Sequence, residues 1–128
     1  MKLTVAILML SVCSAQAAQV VLVCNGNLNF PDNAPMTING DSAMIDFDAG
    51  TFKPPIYQPY QITKVTDTDV NFGLETGTTS IFGTIDRISG SLSMNVMKPE
   101  ERKKIMAGHS AKMLAWMSAK CVPAKRMF

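Results

Sequence analysis

Apolar residues recur at every second position through most of this chain, and turn residues rather than long connections separate the runs that carry them. Val70, Phe72 and Leu74 alternate with Asp69, Asn71, Gly73 and Glu75, and Leu92, Met94 and Val96 alternate with Ser91, Ser93 and Asn95. This period puts apolar side chains on one face of an extended strand. Thr76-Gly77-Thr78 leads from one such run into residues 80–87, and Ser89-Gly90 leads from there into the next. Connections this short force consecutive strands to pair antiparallel, as a meander.

The same pattern extends the meander in both directions. Residues 19–24 (QVVLVC) read as a short apolar opening strand, and Ala43, Ile45 and Phe47 alternate with Met44, Asp46 and Asp48 in a strand that ends at Ala49-Gly50. Tyr60 and Ile62 open another that stops near Thr66-Asp67. Residues 25–39 are rich in Asn, Pro and Gly and predict a long loop. Residues 51–59 hold three prolines and predict an irregular or edge segment.

Lys98-Pro99-Glu100-Glu101 breaks the alternation. Proline in a first turn, acids behind it and Arg102-Lys103-Lys104 further on predict a helix that ends near Gly108. Residues 110–121 suit either a strand or a helix. As a strand, Ala111, Met113, Ala115, Met117, Ala119 and Cys121 share one face, opposite Lys112, Leu114, Trp116, Ser118 and Lys120. The strand is preferred because it turns Cys121 inward. Six to eight strands with one short helix predict a mainly β domain, a small antiparallel barrel or sandwich.

The N-terminus predicts export. Met1-Lys2, an apolar run over residues 3–12 and Ser14-Ala15-Gln16-Ala17-Ala18 have the form of a secretory signal peptide, 1–17, cut after Ala17. A cut after Ala18 is nearly equivalent. Leu10-Ser11-Val12-Cys13 resembles a lipobox, but Val12 is large for the position before a modified cysteine. The run is too short to span a bilayer, which takes about 20 apolar residues, and no other run approaches that length. The remainder, 18–128, has the size of one domain. Cys13 leaves with the leader, so the exported chain keeps Cys24 and Cys121. In an oxidising compartment the simplest state of such a pair is a disulfide, closing nearly the whole chain.

Charge is distributed unevenly. Residues 18–97 carry three basic against eight acidic side chains, and residues 98–128 carry eight basic against two acidic. Arg102, Lys103, Lys104 and Lys112 therefore form a candidate patch for an anionic partner or envelope surface. The simpler reading lays the basic segment beside the acidic body. Nucleic acid is disfavoured as a partner, because export is the wrong context and the basic run lacks interleaved aromatics.

Three local patterns, Cys24-Asn25-Gly26, the hairpin G-T-I-D-R-x-[ST]-G over residues 83–90, and a terminal C-x-P-A starting at Cys121, resemble a group of small exported bacterial proteins of unknown function. The resemblance implies a periplasmic β domain with the same disulfide, and no activity.

Chemistry-bearing motifs are few. Asp86 and Arg87 are a candidate ligand-binding pair, through the guanidinium fork. The structural alternative is that Asp86 fixes the turn while Arg87 covers an apolar face. The run from Asp46 to Gly50, with Asp41 nearby, lacks the third acid and distal Glu of a calcium loop. His109 is the single histidine, and its neighbour Ser110 points away from it in either secondary structure. His109, Met113 and Met117, with Trp116 beside them, are a candidate Cu(I) site, soft thioethers next to an imidazole. Against this, methionine most often fills cores. With no catalytic constellation and no cofactor implied, the expectation is a non-enzymatic periplasmic or secreted protein that binds a partner or small ligand. The alternatives are an inhibitor or envelope-associated protein acting through 98–126, and a Cu(I) binder.

Overall fold

In the computed structural model, residues 19–125 are described. The signal peptide expected over 1–17 lies outside them. The described chain is an eight-stranded antiparallel barrel in which every strand pairs with its neighbours in sequence, and the last strand closes on the first. In order these are β1 (Gln19–Asn29), β2 (Met36–Asp46), β3 (Thr51–Lys53), β4 (Tyr60–Val65), β5 (Asp69–Glu75), β6 (Ser80–Asp86), β7 (Ser91–Met97), the helix α1 (Pro99–Met106) and β8 (Ala115–Pro123). Sheet closure removes the free edges that a small antiparallel sheet otherwise exposes. The helix starts at the expected proline, with Glu100 and Glu101 in its first turn and Lys103 and Lys104 in its last.

Alternation becomes inside and outside. Leu22, Cys24, Leu28, Ile38, Ile45, Val70, Phe72, Ile81, Ile85, Leu92, Met94, Val96 and Met117 are buried in a single core. An eight-stranded barrel is just wide enough for side chains to fill it or for one small ligand, and here side chains occupy the centre. The Phe72 ring lies 4.5 Å from that of Phe52 and stacks on Tyr60 at 6.4 Å. Phe72 is also the register partner of Gly83, and a Cβ on Gly83 would run into the Phe72 ring. Glycine on one strand makes room for the aromatic on the next.

The seam between β1 and β8 carries the disulfide. Cys24 and Cys121 are direct register partners, their Cα atoms are 4.1 Å apart and their sulfurs are bonded, 97 residues apart in sequence. The hairpin glycine Gly90 (φ 77°) packs on this seam. Its carbonyl accepts the Cys121 N–H at 2.8 Å, and its Cα faces the Cys121 backbone so closely that a side chain would collide with it.

Two expectations need correction. Residues 25–39 are not a long loop: β1 runs on to Asn29 and β2 begins at Met36, leaving 30–35 as the connection. The Asn and Gly residues mark irregularities within strands. Gly26 sits where the β8 backbone approaches too closely for any Cβ. Gly40 (φ 68°) is the extra residue of a bulge opposite Cys24 and Asn25, held by its N–H donating to Asn25 Oδ1 at 2.8 Å. In residues 51–59, Thr51–Lys53 do form a strand, with Phe52 fully buried; the chain then leaves the sheet through Pro54 and Pro55, which are buried too. The ambiguous last segment is a strand over Ala115–Pro123, with Lys112 to Leu114 irregular before it.

One device recurs in four turns. An oxygen on the first turn residue accepts the backbone N–H groups two and three positions ahead. Asp46 Oδ1 takes those of Asp48 and Ala49, and Asp86 Oδ1 those of Ile88 and Ser89. Thr66 and Thr76 do the same with their hydroxyls. These bonds hold both aspartates below the usual carboxylate range, chiefly through Ala49 for Asp46 and Ser89 for Asp86. A carboxylate whose pKa is lower folded than unfolded contributes stability above its unfolded pKa and loses it as pH falls through the folded one. Amide protection at Ala49 and Ser89 is therefore expected to drop on acidification below about pH 4. That at Asp69 and Thr79, held by hydroxyls, persists to lower pH. Hydrogen-exchange protection factors against pH check this, and equal loss at all four amides would contradict it.

Candidate functional site

The barrel has two unlike ends. One carries the short turns at 47–50, 66–68 and 87–90; the other carries residues 30–35, 54–59, 76–79 and the long connection 98–114 with α1.

Asp86 and Arg87 lie at the turn end. Asp86 is engaged by the turn amides. The Arg87 guanidinium donates to the Thr66 carbonyl at 2.7 Å and lies 5.8 Å from the centre of the Phe47 ring. The two side chains therefore serve the turn and its neighbours rather than forming one anion fork. They border a hollow of about 420 Å³ floored by Leu22, Ile45 and Ile85.

The basic segment is partly neutralised. Arg102 spans from α1 to the barrel wall, donating to Glu75 Oε2 at 2.8 Å and to the fully buried Ser80 Oγ at 3.1 Å, with its guanidinium 4.8 Å from the Phe82 ring centre. This contact lays basic segment against acidic body. Lys104 pairs with Glu101 at 2.9 Å. Among the described residues Lys98, Lys103 and Lys112 make no ion pair.

His109, Met113 and Met117 are not gathered on one face. Met117 is sealed inside the barrel at 1% exposure, opposite Met94 in register. Met113 is half-buried outside it, and His109 is exposed after α1. Among the described residues no group of three or more His, Cys, Asp or Glu side chains is placed to hold a metal ion, the acids from Asp41 to Asp48 included.

At the loop end lies a cleft of about 780 Å³ between the β1–β2 connection and the segment joining α1 to β8. Phe30, Pro31, Met113, Leu114 and Trp116 form its apolar wall, and Lys98, Lys112, Asp32 and Glu101 its polar part. Glu101 pins the far side in place. Its carboxylate accepts the Lys112 backbone N–H and the Lys104 ammonium, each at 2.9 Å, and these bonds, the backbone one first, hold it below the usual carboxylate range. The Leu114 N–H donates to the Val96 carbonyl at 2.8 Å, fixing the start of β8. With Glu101 engaged, the two lysines are the cleft's available charges beside Asp32. Trp116 and Leu114 remain 36% and 46% exposed, an arrangement suited to an apolar body bearing negative charge. No motif in the sequence marks this cleft, because three separate segments build it; its one sequence signal is Trp116 on the outward face of the last strand.

The described residues form a closed up-and-down barrel with side chains filling its centre and a concavity at one end. No family model matches the chain, and neither a curated protein nor a solved structure matches it. No helix among the described residues is long and apolar enough to cross a membrane.

Proposed function

We propose that this chain is an exported, non-catalytic binding protein, working in the periplasm or outside the cell, whose contact site is the loop-end cleft. The observation that carries the reading is the meeting of the apolar wall of Phe30, Leu114 and Trp116 with Lys98 and Lys112. The ligand class is a molecule or partner segment that joins an apolar body to an anionic group. The signal-like N-terminus and the disulfide support export.

Trp116 is the single tryptophan and lines the cleft, so its fluorescence reports on the site directly. Titration with laurate is expected to shift Trp116 emission saturably, and Lys98→Glu/Lys112→Glu to weaken that binding by about tenfold or more. An unchanged spectrum, or equal binding by the variant, would refute the site. Expression of the full chain in a Gram-negative host followed by fractionation tests export. A periplasmic product beginning at Ala18 is expected, and a cytoplasmic product retaining Met1 would count against it.

The envelope-associated alternative uses the same cations with Lys103, none of which makes an ion pair among the described residues. It predicts binding to vesicles containing anionic lipid that falls with salt and with Lys103→Glu. Binding of laurate without binding of such vesicles would favour the cleft.

A further inference from the structure

Residues 54–59 join β3 to β4 and make no hydrogen bond among the described residues. Pro54, Pro55 and Pro59 have no N–H to donate, and the N–H groups of Ile56, Tyr57 and Gln58 find no acceptor there. The turns at 46–49, 66–69, 76–79 and 86–89 differ, each being held by N–H bonds to a side-chain oxygen. The short strand that leads into the segment is thinly paired as well. It meets β2 at Met44, Ile45 and Asp46, and β4 only at Tyr60 and Gln61.

Apolar packing is what holds the segment down. Pro54 and Pro55 are fully buried, and Tyr57 packs on the core with its ring 6.4 Å from that of Tyr60. Tyr60 stacks on Phe72, and Phe72 meets Phe52, so Tyr57 caps a file of four rings running into the barrel. Between these anchors Ile56 stands at φ 72°, the one non-glycine residue at positive φ among the described residues. A β-branched residue suits that region poorly, because its Cβ crowds the backbone. Ile56 is 48% exposed, so its own burial offsets little of the strain; Pro55 and Tyr57 impose it from either side. Strain of this kind persists only where the surroundings over-determine it, and it collects in clamps and switch segments.

We propose that residues 54–59 are a sprung strap, which closes the loop end over the aromatic file and swings free as a unit before the barrel unfolds. Opening breaks no hydrogen bond among the described residues, relaxes Ile56 and lifts Tyr57 from Tyr60. Its cost is the apolar packing of Pro54, Pro55 and Tyr57, which keeps the closed state the major one. The strap lines none of the cleft, and its opening is independent of binding there.

The test is chymotrypsin cleavage after Tyr57 in the disulfide-bonded chain, read by mass spectrometry. Each rate is divided by that of the same bond in a synthetic peptide of residues 51–63 carrying the same substitution. At low protease this ratio follows the open population. Cleavage is expected in the folded protein, at a rate flat in urea below the global transition, because a local opening exposes little surface. Ile56→Gly adopts the closed backbone without strain and is expected to slow cleavage at least about threefold. Ile56→Val keeps the β-branch and is expected to stay within about twofold of wild type. Ile56 lies outside the core, so both variants fold, as circular dichroism verifies. The proposal is overturned by no cleavage below the global transition, or by a rate that climbs with urea in step with global unfolding. Ile56→Gly cut as fast as wild type, or Ile56→Val slowed as much as Ile56→Gly, overturns it too.

Discussion

Replacing Cys24 and Cys121 together by alanine is expected to lower the unfolding free energy by about 2–5 kcal/mol. The bond closes a loop of 97 residues, and the denatured chain loses more freedom the longer the loop it closes. It also sits at the barrel's closing ladder, where β1 and β8 meet, and Cys24 and Cys121 are both buried. Two core side chains are thus trimmed as well as one cross-link lost. Domains of this size retain about 5–15 kcal/mol in total, so the reduced form approaches the threshold of folding. Denaturant unfolding with and without reductant measures this. Equal midpoints for oxidised and reduced protein would show that the ladder alone holds the seam.

The second large effect is expected at the centre of the barrel. Phe72→Ala should cost about 3–5 kcal/mol, through lost burial and the cavity left behind. Phe72 touches the aromatic side chains of Phe52 and Tyr60 and overlies Gly83, so no neighbour is free to collapse into its place. Gly83→Ala is destabilising for the complementary reason, since the new methyl would collide with the Phe72 ring and stand 2.7 Å from the Ser93 carbonyl. The two substitutions should be coupled. Gly83→Ala costs less in the Phe72→Ala background, because the ring is gone, but it still costs something, because the Ser93 carbonyl remains. Additive effects in a double-mutant cycle would contradict the packing described. Phe82→Ala is a useful contrast: that ring is outward, half-buried and covered by Arg102, and its removal should cost less.

Much of this architecture was readable because its physics is local. Alternation at Val70, Phe72 and Leu74 places side chains on faces whatever the strand pairs with, and Ser89-Gly90 and Pro99 announce a turn and a helix start by backbone preference alone. Cys24 and Cys121 were legible as a bond from number and compartment, though their facing register was not. Glycine is one place where local reading fails. Gly26 and Gly40 suit a loop equally well as they suit a strand that another backbone approaches or that carries a bulge, and only the pairing of β1 with β2 and β8 separates the cases. Pro54 and Pro55 gave a correct break but hid the short strand before them. Met117 shows the same limit for chemistry, since a methionine that points into a core and one that faces a metal have the same spacing. The cleft was invisible for another reason. Phe30, Lys98 and Trp116 are far apart in sequence and belong to no motif; the closure of β8 onto β1 brings them together.

On the proposed function, this barrel binds at its loop end and not within its filled interior. Amide chemical-shift mapping during titration with laurate tests that most directly. The predicted result is saturable shifts confined to residues 30–33, Lys98, Glu101 and 111–116, with Phe72, Ile85 and Met94 unmoved. Shifts centred on those three interior residues, or none that saturate anywhere, would contradict it.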